Sequence, residues 1–197
     1  MARDRASRPE AKARRLFVAV EVAESVHDAI DAAAAPWRER YPRARWVPRE
    51  NRHITLKFLG ATWPRLVEWV TETVGAVAAG HDPFEVAVGG LGAFPNARRA
   101  RVLWAGLEED GAMARIASDL DDRLAKEFAP EKRPFTPHLT IARFEPQVEF
   151  DALDTARLEA GPFHVDRLVL FRSHLRRPAP VYEPVGTFPL GNRPSGP

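Results

Sequence analysis

Two short stretches of this 197-residue chain place a titratable ring next to a hydroxyl: His53-Ile54-Thr55 and His138-Leu139-Thr140. Each runs on into another large aliphatic residue, Leu56 in the first and Ile141 in the second. In an extended strand successive side chains point to opposite faces. His53 and Thr55 therefore share one face while Ile54 and Leu56 share the other, and the second stretch repeats the arrangement. An imidazole titrates near neutral pH, so of two such rings one can be protonated while the other is neutral. That pair can serve as general acid and general base in one reaction, and two hydroxyls can donate hydrogen bonds to the oxygens of an anionic group. By the same alternation Lys57 falls on the face of His53 and Thr55, either to assist or as a solvated lysine at a cleft rim. Arg143 has the opposite parity from His138 and needs a bulge or a long reach to join it.

The elements that must hold these residues follow from the pattern around them. Leu16–Val20 is an apolar run of strand length, and Val26, Ala29, Ile30 and Ala33 then recur at helical spacing, with Pro36 expected just past the helix end. Arg45–Val47 reads as a short strand and Pro48–Asn51 as a turn. The first His-x-Thr strand follows, expected to stop at Gly60. Thr62-Trp63-Pro64 opens a helix with Pro in its first turn, and Leu66, Val67, Val70, Val74 and Val77 mark one face. Phe84–Val88 alternates as a strand, and Gly89 through Asn96 reads as loop. Arg101–Ala105 is a further strand, and Met113, Ile116, Ala117, Leu120 and Leu124 line a helix opened by Asp110-Gly111. Arg133–Pro137 is an extended entry to the second His-x-Thr strand. A shorter helix is expected around Phe150 to Leu158, then a strand from Gly161 through Phe171. Val181–Val185 reads as a last strand, whose Pro184 suits an edge.

The order repeats. The opening strands align Arg15 with Arg101, and the histidines align 53 with 138, offsets of 86 and 85. Pro83–Val86 resembles Pro162–Val165 at an offset of 79. Each half reads strand, helix, His-x-Thr strand, helix, strand. Two copies make a pseudo-twofold pair of lobes rather than a solenoid, and a twofold axis would bring the two histidines together.

Composition bounds the rest. Hydrophobic residues make up 45% and charged residues 28%, as in ordinary globular proteins, and cysteine is absent, which excludes thiol catalysis, thiolate metal sites and disulfides. There is no His-Glu-x-x-His, no close His pair and no phosphate-cradling Gly-rich loop ending in Lys, so neither a metal nor ATP is expected, and no cofactor. The net charge of +2 is unevenly spread: residues 1–15 hold Arg3, Arg5, Arg8, Lys12, Arg14 and Arg15 against Asp4 and Glu10, leaving the body at −2. Residues 1–14 are expected to be a disordered, solubilising basic tail, 15–190 one bilobal domain and 191–197 a C-terminal tail. No stretch approaches the roughly 18 apolar residues of a membrane span, and no signal peptide opens the chain, so a cytoplasmic protein without membrane association is expected. His27 and His81 are expected at the surface. Trp46, Trp104, Phe94 and Phe135 could stack on a base, with a core role favoured for Trp104.

The paired His-x-Thr motifs after an Arg-Leu-Phe-Val-Ala strand resemble the two-histidine phosphoesterase superfamily, and within it the RNA 2',3'-cyclic phosphodiesterases, also called 2'-5' RNA ligases. The likeness runs from Arg15 to Leu190. It takes in Glu50-Asn51, Lys57–Gly60, Phe135-x-Pro137, Ala142-Arg143, Phe171–Ser173 and Tyr182. Two positions depart from the family pattern: Arg52, where an apolar residue is usual, and Arg176–Pro180, which lacks the usual Gly before the late Tyr. The resemblance implies a bilobal α+β fold with antiparallel sheets lining a central cleft and helices outside. It implies metal-independent hydrolysis of an RNA 2',3'-cyclic phosphate end, a tRNA fragment being one source, to a 2'-phosphate. His53 would be the proton donor and His138 the acceptor, with Thr55 and Thr140 on the phosphate and a binding role for Arg143. The reverse reaction would be ATP-independent ligation. A small cyclic nucleotide as substrate, or a non-catalytic module that holds RNA ends, are the alternatives. A monomer is expected.

Overall fold

The computed structural model describes residues 12–151, 153 and 158–191. Its elements in chain order are β1 (Arg14–Glu21), α1 (Glu24–Arg40), β2 (Arg45–Trp46), β3 (His53–Thr62), α2 (Pro64–Gly80), β4 (Phe84–Phe94), β5 (Ala100–Glu108), α3 (Ala112–Leu124), β6 (His138–Val148), β7 (Glu159–Val165), β8 (Arg167–His174) and β9 (Val181–Pro189). The strands form two sheets, ordered β3-β1-β8-β9 and β2-β6-β5-β4-β7. Every strand pairing is antiparallel. The fold is α+β, as the duplication and the resemblance both indicate.

Strand for strand, β3-β1-β8-β9 in the first sheet corresponds to β6-β5-β4-β7 in the second, with β2 added beyond β6. The strand that ends the first half, β4, thus lies in the second sheet, and β8 of the second half returns to the first. This corrects one part of the sequence alignment. Pro83–Val86 and Pro162–Val165 are not equivalent strands but antiparallel neighbours, with Phe84 opposite Val165 and Val86 opposite Phe163. All four are buried; the segments read alike because they fill one face of one sheet.

β1 is apolar from Leu16 to Val20 because both its faces are covered there. Leu16, Val18 and Val20 enter the main core, while Phe17 and Ala19 join Val169, Phe171 and Tyr182 in a second, smaller cluster. α2 buries Val70, Val74 and Val77, and α3 buries Met113, Ile116, Ala117, Leu120 and Leu124, the faces expected from their spacing. α2 and α3 pack on the first sheet, and α1 packs against β7 of the second.

Four boundaries differ from expectation. Pro36 lies inside α1 rather than after it. The helix survives the lost N–H because Trp37 and Tyr41, in the turn beyond, both pack edge-on against Phe150. β3 continues through Gly60, whose φ of +67° accommodates a register shift opposite Leu16 and Phe17. β4 extends through the glycine-rich segment to Phe94, bulging between Val88 and Leu91, with Gly92 beneath the Trp104 indole, where a Cβ would overlap the ring. The expected strand from Gly161 through Phe171 is two strands, β7 and β8, which change sheet at Asp166. The helix expected between Phe150 and Leu158 falls on residues 152 and 154–157, outside the described residues, as do positions 1–11 and 192–197 of the two tails.

Candidate active site

His53 opens β3 and His138 opens β6, and the two strands are equivalents in their sheets. Each ring is anchored identically. His53 Nδ1 lies 2.8 Å from the Asn51 carbonyl oxygen, and His138 Nδ1 lies 2.8 Å from that of Thr136. A carbonyl can only accept, so each Nδ1 carries a hydrogen, and the neutral ring keeps its lone pair on Nε2. Both histidines, Thr55 and Thr140 line one cavity of about 310 Å³.

The surroundings of the two rings differ. His53 stands on the small aromatic cluster, 4.7 Å from Phe17 and 5.1 Å edge-on from Tyr182 between ring centroids. Burial there pushes its pKa below 6.5, and the Asn51 hydrogen bond partly opposes that. His138 is edge-on to Phe94 at 5.3 Å, and Phe94 stacks on Trp104 at 5.1 Å.

A matched pair of β-bulges decides which other residues reach the cavity. In β3, Thr55 sits opposite Ala19 and Lys57 opposite Val18, leaving Leu56 as the extra residue. In β6, Thr140 sits opposite Trp104 and Ala142 opposite Leu103, leaving Ile141 extra. Each bulge reverses the alternation beyond it. Arg143 is thereby turned onto the face of His138 and Thr140 and lines the cavity. Lys57 is turned away. This overturns its placement beside His53: it is 5% exposed, paired with Asp121 of α3 and bonded to the Ala129 carbonyl. Phe58 takes the cleft position instead, half exposed at 50%, with the Arg15 guanidinium 4.4 Å above its ring.

Several lining residues escaped the motif. Arg15 and Phe17 come from β1, Asn51 from the 3₁₀ turn before β3, and Ser173 and Tyr182 face each other across β8 and β9. Asn51 is buried, and its Nδ2 donates to the Pro180 carbonyl at 2.8 Å, holding the loop that departs from the family pattern. The alternation of Arg15 and Phe17 in β1 was the available signal for two of these. Of the four rings considered for stacking, Phe94 is the one exposed beside His138; Trp46 packs edge-on against Phe144, and Phe135 packs against the main core.

Arg52, the other departure, is buried behind the site. Its guanidinium bonds the His27 and Val47 carbonyls and the Asp31 carboxylate. His27 is therefore not at the surface: it is buried, and burial together with Arg52 keeps its pKa below the ordinary value. His81 is partly buried against Asp119, while His164 and His174 pair with Glu85 and Glu183. Among the described residues no three His, Asp or Glu side chains are grouped to hold a metal, and no helix is long and apolar enough to cross a membrane.

Known proteins resemble this chain over most of its length. The family model described as the 2'-5' RNA ligase superfamily matches residues 26–177. The RNA 2',3'-cyclic phosphodiesterase of Geobacillus stearothermophilus is 33% identical over 189 residues, which cover 94% of this chain and 60% of that protein's length. That of Methanothermobacter thermautotrophicus is 31% identical over 182 residues, covering 89% of this chain and 98% of that one. The crystal structure of TT0787 of Thermus thermophilus superposes with a TM-score of 0.79 at 29% identity, over 90% of this chain and 98% of that one. LigT of E. coli in apo form, 22% identical, shares the fold with a TM-score of 0.72, over 91% and 99%. With a family match across most of its length and a 31% identical relative that it covers almost end to end, this chain belongs to the 2'-5' RNA ligase superfamily.

Proposed function

We propose that this chain hydrolyses the 2',3'-cyclic phosphate end of an RNA to a 2'-phosphate, without a metal or cofactor. The observation that carries the reading is the pair of imidazoles, each tied through Nδ1 to a backbone carbonyl two residues back and each with Nε2 left to work in one cavity with two hydroxyls and a guanidinium. Both curated relatives described above are named RNA 2',3'-cyclic phosphodiesterases.

In this mechanism His138 Nε2 takes a proton from water as its oxygen attacks phosphorus. The bond from phosphorus to the ribose 3' oxygen breaks, and His53 Nε2–H gives its proton to that oxygen. The product is a 2'-phosphate with a 3'-hydroxyl. Arg143, Thr55 and Thr140 hold the non-bridging oxygens, where charge builds in the transition state. If a 5'-hydroxyl of another RNA takes the place of water, the same steps join the two ends through a 2'-5' linkage. Every group comes from one chain, so a monomer suffices, with residues 15–190 acting as one domain.

Incubation in EDTA with a short RNA bearing a 2',3'-cyclic phosphate, followed by identification of the end group, tests this. We expect a 2'-phosphate from the wild type. His53→Ala and His138→Ala should each lose about 10²–10⁴-fold in rate, the usual worth of one acid or base. Near-normal turnover in either variant would sink the two-histidine mechanism.

A further inference from the structure

The cavity holds two guanidiniums, and one anionic phosphodiester accounts for only one of them. Arg143 lines the cavity beside His138 through the β6 bulge, where the proposed mechanism puts the cyclic phosphate. Arg15 lines the same cavity from β1. Other arginines close to the site are spoken for: Arg52 and Arg49 bind Asp31, Arg38 binds Asp31, and Arg45 binds Glu145. Among the described residues neither Arg15 nor Arg143 has a carboxylate partner. The position of the first sheet that corresponds to Arg143 is Phe58, which brings no charge. Arg15 lies across that ring at 4.4 Å, which sets its exposed guanidinium along the cavity wall. It stands at the opposite end of the floor from His53, for Arg15 pairs with Ala61 while His53 pairs with Glu21. Both guanidiniums bear on Tyr182, whose hydroxyl pKa burial raises and they pull down.

We propose that Arg15 contacts a second phosphate, the internal phosphodiester on the 5' side of the nucleotide that carries the cyclic end, so that the site selects an RNA strand end over a cyclic mononucleotide. The proposal rests on the hydrolase reading above. An RNA strand carries one phosphate per nucleotide. A cavity of about 310 Å³ is at the small end of ligand sites and suits one nucleotide. The next phosphate then falls at its wall, where a planar guanidinium can grip two oxygens.

The test uses three substrates: adenosine 2',3'-cyclic phosphate, the dinucleotide ApA ending in the same cyclic phosphate, and that dinucleotide with its internal phosphate replaced by an uncharged methylphosphonate. For the wild type, neutralising the internal phosphate should lower kcat/KM about tenfold, chiefly through KM, the scale of one charge-assisted contact. For Arg15→Gln the same replacement should cost less than about twofold, and Arg15→Lys should fall between. If Arg15 served only to brace Phe58, Arg15→Gln would slow all substrates alike and keep the tenfold sensitivity, and the proposal would be overturned. A wild type indifferent to the methylphosphonate would overturn it as well. Failure of the wild type to cleave any of the three would strike the hydrolase reading itself and this one with it.

Discussion

His53 and His138 have the same backbone anchor and different neighbours, and the difference has a sign. Burial of His53 disfavours the imidazolium, so its pKa lies below 6.5. As the donor of the proposed mechanism it would enter the reaction charged, and the free protein loses that form as pH rises through the lowered pKa. The alkaline limb of kcat/KM should therefore begin below pH 6.5. A bound phosphate anion favours the imidazolium, so the corresponding limb of kcat should lie at higher pH. Paired pH profiles on one cyclic-phosphate substrate check this; an alkaline limb of kcat/KM that starts well above neutrality would contradict the assignment of His53 as the acid. Lys57 gives a second prediction of the opposite kind. Because it is sealed against Asp121 of α3, Asp121→Asn should destabilise the protein by about 3–5 kcal/mol by stranding a buried charge. Lys57→Met should cost less and leave turnover per folded molecule near normal, as denaturant titration beside an activity assay would show. His53, Thr55, His138 and Thr140 were legible in the sequence because two-residue alternation places them without knowledge of any other strand. Lys57 was misplaced, and Arg143 left open, because a bulge is a relation between two strands and leaves no mark in one.

At the scale of the element, the bulges at Leu56 and Ile141 do the same thing with different results. One carries an arginine into the cavity, and the other carries a lysine out of it and a phenylalanine in. The faces of α2 and α3 were legible, since a stripe every three or four residues survives in any packing, whereas the buried His27 of α1 was not. Glycine-rich β4 was not: glycines that read as turn residues are here for close approach, and only the partner strand reveals what approaches. Gly92 lies under the Trp104 indole, which in turn supports Phe94 beside His138. Gly92→Ala should force that stack to shift. We expect a loss of about 1–3 kcal/mol in stability, the usual cost of overpacking, together with a lower kcat. Thermal melts and initial rates measure both, and an unchanged kcat would mean that the stack does not steer His138.

At the scale of the molecule, the two lobes are bolted together behind the site. Asp31 belongs to α1, which packs on the second sheet, yet it binds Arg52 at the threshold of β3 in the first. Burial would raise the Asp31 pKa, but the hydrogen bonds from Arg52 and Arg49 prevail and hold it at about 2 rather than 3.8. A carboxyl lowered in this way stabilises the fold above its unfolded pKa, by about 2 kcal/mol here, and loses that contribution as pH falls from 4 towards 2. Asp31→Asn should therefore unfold more readily than wild type at pH 7, the more so because the Arg52 side chain is only 1% exposed. The gap in denaturant midpoint should narrow as pH drops below 4; a gap independent of pH would mean that charge is not its source. The exchange of β4 and β8 between sheets was beyond the reach of sequence periodicity, which counts elements without saying which neighbour each will choose.

That exchange also bears on the ancestry of the fold. A half-length chain ending at β4 would hold one histidine motif and two strands of each sheet, with its last strand reaching for a place that only another copy could offer. Such a chain could have closed its sheets only as a pair of identical molecules trading strands across a twofold axis. In the single chain the equivalent positions of the two sheets are held by different residues, Phe58 and Arg143. The same logic applies today: severed between β4 and β5, the two pieces would be expected to fold in each other's company, and the return of activity on mixing would report the trade.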